Sequence, residues 1–107
     1  MKFLRLMLVV FAIGFSASSN AVVAKGARSC EIWVKDRAEN GILGVADETW
    51  LVGYLSGLAY GSNIDVFEAA DNDSMYLSMD NYCKSHPSSN MTGGANRLFS
   101  QLKKKIH

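Results

Sequence analysis

"MDNYCKSHPSSN", residues 79–90, holds one of the chain's two cysteines, with His86 three positions after Cys83 and the single proline, Pro87, next to it. Three chemistries use such a stretch: a thiolate activated by an imidazole, a corner of a metal site, or one end of a disulfide. The far N-terminus decides among them. "MKFLRLMLVVFAIGFSASSNAVVA", residues 1–24, opens with Lys2 and Arg5, runs through apolar residues from Leu6 to Phe15, and ends in small residues. That is the layout of a secretory signal peptide, with Ala21 or Ala24 at the cleavage point. The apolar run is about half the roughly 20 residues a spanning helix needs. No stable membrane insertion of the mature chain is therefore expected.

Residues 25–107 then form one small domain, expected in the periplasm or secreted. A core of this size is marginal without a disulfide, a metal or a partner. Cys30 and Cys83 both belong to this exported portion, and an even count in an oxidising compartment reads as a disulfide. Closing a loop of about 54 residues restricts the unfolded chain by roughly 4 kcal/mol. A zinc site would need three or four ligands at short spacing, and Cys83 and His86 have no second pair nearby. No metal and no cofactor are expected. His86 reads as a polar residue closing a helix ahead of Pro87.

The periodicity is helical throughout. Ser29 can cap "CEIWVKDRAEN", with Cys30, Trp33, Val34 and Arg37 on one stripe, and Asn40-Gly41 ends it. "ILGVA" reads as a connector, and Asp47 as the cap of "ETWLVGYLSGLAYG". Asp65 opens a short turn, "VFEAA"; Asp73 or Ser74 caps "MYLSMDNYCKS"; and a Gly93-Gly94 break precedes "ANRLFSQLKKKIH". The expected fold is all-α: a small bundle of about four helices plus a short helical turn, stapled by one disulfide. Its expected core contains Trp33, Trp50, Tyr54, Leu55, Met79, Tyr82, Leu98 and Leu102.

Gly53, Gly57 and Gly61 stand at four-residue spacing. Such a stripe lets a second backbone approach closely; the expected use is packing against a neighbouring helix of the domain, with a homodimer seam as the alternative. Charge is segregated. Residues 38–83 carry eight carboxylates and no lysine or arginine, whereas residues 84–107 carry five basic residues and no acid. Asp65, Glu68, Asp71, Asp73 and Asp80 are the expected pH-responsive group. No basic stripe carries interleaved aromatics, so nucleic acid is not an expected partner. An EF-hand loop from Asp71 fails, because Tyr76 stands where glycine is needed and Tyr82 where glutamate is needed. No nucleophile elbow, phosphate-cradling glycine loop or acid–base carboxylate pair is recognisable, so catalysis is not expected.

"SCEIWV" followed by "YCKSHPSSN" resembles the two cysteine corners of the HdeA/HdeB acid-stress chaperone family, over Ser29 to about Asn90. The resemblance implies a small periplasmic all-helical protein with one bridge, mapped here onto Cys30 and Cys83, and a lysine-rich C-terminus like "KKK". The glycine-rich second helix and the longer first connector depart from that family. "GYLSG" and "YCKSHP" are also similar to Tai-type immunity proteins of type VI secretion, likewise small, exported and helical. The expected function is that of an acid-stress chaperone, with an immunity protein as the alternative, each with a protein as partner. A chaperone would expose apolar faces to unfolding clients when acid protonates its carboxylates. An immunity protein would occlude a cognate toxin with a preformed acidic face.

Overall fold

The computed structural model describes residues 24–106; the expected signal peptide lies outside that range except for Ala24, and His107 lies outside it too. Four helices and one 3-10 turn make up the fold of the described residues, which contain no strand. Helix α1 is Cys30–Glu39, and Ser29 caps it by accepting a hydrogen bond from Ile32 N at 3.2 Å. Asn40 ends it in the left-handed region at φ 53°, a conformation asparagine tolerates better than most residues.

Helix α2 spans Ile42–Ser62, 21 residues, and corrects the expected connector and cap. "ILGVA" is its first turn, and Asp47 lies inside the helix, where it is buried. Nothing in 42–46 is a breaker, and the one glycine there is used for packing. A Cβ on Gly44 would come within 2.8 Å of the Asp36 carbonyl oxygen. This glycine lets α1 and α2 touch backbone to backbone. The stripe expected to do so does not: a Cβ on Gly53, Gly57 or Gly61 meets nothing within 4 Å, and all three glycines are exposed. They face away from the domain because the core side of α2 is the opposite one, formed by Gly44, Asp47, Leu51, Leu55 and Ala59.

After Asn63, also left-handed, the turn η1 covers Val66–Glu68, with Asp65 accepting from Phe67 N. Helix α3, Asn72–Ser85, starts earlier than expected because Asp71 is its cap, accepting from Ser74 N at 2.8 Å. It stops at His86, before Pro87. Helix α4, Met91–Lys104, is capped by Asn90 and runs through the expected break. Gly94 is needed there because a Cβ would collide with the Met79 sulfur and come within 2.8 Å of the Tyr82 ring. The two glycines lodge α4 against α3 instead of ending a loop.

The Cys30–Cys83 disulfide joins α1 to α3 with Cα atoms 4.8 Å apart. Around it pack Trp33, Leu51, Leu55, Val66, Met75, Met79, Met91, Ala95, Leu98, Phe99 and Leu102. Of the expected core residues, Trp50, Tyr54 and Tyr82 are only half-buried. Their polar ends explain why. Trp50 Nε1 donates to Lys25 O, Tyr54 Oη donates to Asn96 Oδ1, and Tyr82 Oη pairs with Ser89 Oγ, so each ring sits at the core's edge. The Ser29–Asn90 bridge, with Cys30 N donating to Ser89 O and Met91 N donating to Arg28 O, ties the N-terminal segment to the α3–α4 loop.

Two glycine variants should move thermal stability in opposite directions. Gly44→Ala forces a methyl group against rigid backbone, a conflict of roughly 1–3 kcal/mol. Gly57→Ala fills open space in a helix interior and gains about 1 kcal/mol. At about 4–8 °C per kcal/mol, calorimetry should find the first variant melting below the parent and the second above it. Reduction of the disulfide should remove roughly 4 kcal/mol on the loop-entropy account, lowering the melting point by more than Gly44→Ala does.

Candidate functional site

The expected acidic group is divided by the structure. Asp65, Glu68, Asp71 and Asp73 are exposed around η1 and the start of α3, whereas Asp80 sits apart on the inner side of α3. Asp65 and Asp71 serve as caps. Hydrogen bonds from the Ser74 backbone and side chain hold the Asp71 carboxyl below the ordinary value. Acid therefore reaches four of the five carboxylates without opening the domain's interior.

Asp80 is the exception, because it joins α1 and α3 on the inside. Its Oδ1 accepts from Trp33 Nε1 at 2.8 Å and from Arg37 Nε at 3.0 Å, and its Oδ2 accepts from Arg37 Nη2 at 2.8 Å. Arg37 Nη1 donates to Glu48 Oε2 of α2 at 2.9 Å, and the guanidinium lies 5.8 Å from the Trp33 ring centroid and 5.6 Å from that of Tyr76. Three helices meet on this arginine. Burial pushes the Asp80 carboxyl up, but the hydrogen bonds from Arg37 and Trp33, with the charges of Arg37 and Lys84, together hold it below its usual range. Arg37 is correspondingly raised, chiefly by its hydrogen bond to Asp80.

A second carboxyl pair lies where α1 crosses α2. Asp36 and Asp47 are 2% and 3% exposed, and Oδ2 of each lacks a hydrogen-bond partner. Burial pushes the Asp47 carboxyl up to about 7, reinforced by a hydrogen bond with Asp36 and by its charge, against the lowering effect of Arg28. Arg28 Nη1 is 3.7 Å from Asp36 and 3.9 Å from Asp47. Beside Asp36, the buried Asp47 carboxyl keeps its proton more readily than a solvated carboxyl does.

The outer side of α2 borders two open clefts. One, about 610 Å³, has Val52, Phe67 and Ala70 on its floor and Asp71 and Asp73 at its rim. The other, about 770 Å³, has Ala59, Tyr60 and Ile64 with Asp65. Both touch Ser56 and Phe67, so they form one groove. Farther along the same side, Ile42 and Val45 are 85% and 59% exposed, and Tyr60 is 93% exposed. A polar recess of about 290 Å³ between α3 and α4 includes Tyr82, His86 and Arg97. His86 is occupied there: Nδ1 pairs with Tyr82 O at 2.9 Å and the ring stacks on Tyr82. Among the described residues, no group of three or more His, Cys, Asp or Glu could hold a metal ion, and no helix is long and apolar enough to cross a membrane.

The chain matches no family model, no curated protein and no solved structure. Sequence reasoning missed Arg28, Asp36 and Glu48, and it placed Asp47 at a helix end. The signal to be found was spacing: Asp36 follows Trp33 by three residues, and Asp47 precedes Leu51 by four, so both acids fall on core-facing stripes.

The two inner carboxylates should titrate stability with opposite signs. Asp47 has a raised folded value, so between about 4 and about 7 the folded state holds more protons and stability falls as pH rises. Asp47→Asn should flatten that slope, whose full extent is at most roughly 4 kcal/mol. Asp80 has a lowered folded value; its contribution is complete at neutral pH and disappears as pH falls through that value. Asp80→Asn should cost about 2–3 kcal/mol at pH 7 by leaving charge-assisted hydrogen bonds unmade. The gap to the parent should close as pH falls through the lowered Asp80 value. Urea titrations from pH 2.5 to 8 measure both.

Proposed function

We propose that this chain is a small exported protein that works by binding another protein while folded, without catalysis, in the manner of the Tai-type immunity proteins it resembles. The observation that carries this reading is the exposure of Asp65, Glu68, Asp71 and Asp73 beside an open apolar groove. Carboxylates arranged in this way are available to a partner at neutral pH, and only local caps depend on them. Asp47 supports the same reading, since burial raises its carboxyl and its protonation in mild acid favours the fold. Export fits the Cys30–Cys83 bridge, which needs an oxidising compartment.

An acid-stress chaperone is the second reading, and Asp80 favours it. Protonating this carboxylate removes the anion that Arg37 and Trp33 converge on and weakens the α1–α3 contact. The two readings separate at pH 2–3. A folded binder keeps the Trp33 emission of a buried indole, binds little hydrophobic dye, and leaves the aggregation of an unrelated periplasmic protein unchanged. It also binds the product of an adjacent toxin gene at pH 7. Red-shifted Trp33 emission, dye binding and suppressed aggregation at pH 2–3, with none of them at pH 7, would replace this reading with the chaperone.

A further inference from the structure

We infer that the groove between α2, η1 and the start of α3 receives a basic amphipathic helix of the partner protein. This rests on the protein-binding reading and specifies its surface and the chemistry of its occupant. The floor is apolar and part-covered: Val52, Ile64, Phe67 and Ala70 each pack one side against the core and present the other to the groove. Between Val52 and Asn63 the wall is about three helical turns, roughly 16 Å long. That length suits a short helix with apolar side chains at i, i+3 or i+4, and i+7. Ser56 and Ala59 line this wall, and Gly53 and Gly57 neighbour it with open space around them. Small residues there permit a second helix axis to come close. Among the described residues, no element of the domain uses that permission.

Charge complementarity selects a basic occupant. Asp65, Asp71 and Asp73 stand on the rim, Glu68 lies between them in sequence, and no lysine or arginine occurs from residue 38 to residue 83. A second copy cannot meet this requirement with its own basic helix. The apolar side of α4 (Leu98, Phe99, Leu102) is buried in its own core, and its exposed residues Asn96, Arg97, Ser100, Gln101 and Lys104 offer no apolar anchor.

The test titrates the isotope-labelled, disulfide-intact chain with two synthetic 14-residue amphipathic helices at physiological salt, one of leucine and lysine and one of leucine and glutamate. The lysine helix should shift amide resonances of Val52, Ser56, Phe67 and Ala70, and the glutamate helix should bind at least tenfold more weakly. Ser56→Arg, which fills and charges the groove from its α2 wall, and the double variant Glu68→Lys/Asp73→Lys should each raise Kd tenfold or more with an unchanged fold. Glu31→Lys/Glu39→Lys makes the same net charge change on α1 and should stay within twofold of the parent. Equal weakening by both double variants would reduce the effect to diffuse electrostatics and overturn the inference. So would resonance shifts outside the groove, or concentration-dependent self-association through Tyr60. A partner captured equally well by Ser56→Arg and the parent would sink the groove alone; no partner binding by the folded parent would sink the function it rests on.

Discussion

Everything in this domain depends on how α1 is fastened to α3. The disulfide fixes Cys30 to Cys83; Trp33, one turn along α1, and Arg37, two turns along, close on Asp80, one turn before Cys83 on α3. Trp33 is three residues after Cys30 and Asp80 three before Cys83, so the covalent and the polar attachment are successive rungs of one antiparallel contact. The bridge removes chain entropy from the unfolded state, while the carboxylate satisfies the buried indole N–H of Trp33 and two N–H donors of the half-buried Arg37. Arg37 then carries the contact to α2 through Glu48. A marginal core is thereby joined at the place where three of its helices come together.

The two inner carboxylate sites act against each other as pH changes, and that opposition shapes the fold's working range. Asp80 depends on being ionised, and Asp47 on keeping its proton near Asp36 and Arg28. Ionisation of Asp80 and protonation of Asp47 therefore favour the fold in opposite directions of pH.

The helical class, the two caps Ser29 and Asp65, and the disulfide were legible in the sequence because each has a short-range signature. The glycines were misread because spacing describes which residues share a side of a helix, not which side faces the core. Gly53, Gly57 and Gly61 repeat perfectly and face solvent, whereas Gly44 and Gly94, outside any repeat, meet the Asp36 carbonyl and Met79. Asp47 was misread for a related reason: an aspartate before an apolar run is usually a cap, and only tertiary contact with Asp36 and Arg28 makes an interior aspartate tolerable. The groove was not legible at all. Its floor comes from Val52 on α2 and from Ile64, Phe67 and Ala70 after it, which are brought together by the left-handed turn at Asn63.

The bond between Cys30 and Cys83 also makes a ring of most of the domain. All of α2, η1 and the first turns of α3 lie inside the 53-residue separation it closes, including every residue that lines the groove. The connection between α2 and α3, where Asp65, Glu68 and Asp71 are exposed, is one place in that ring open to a protease. A single cut there opens the ring without releasing a fragment: α1 with α2 on one side, and α3 with α4 on the other, remain one covalent molecule held through sulfur. The groove side of the domain can thus be nicked and still stay attached to the rest of the molecule.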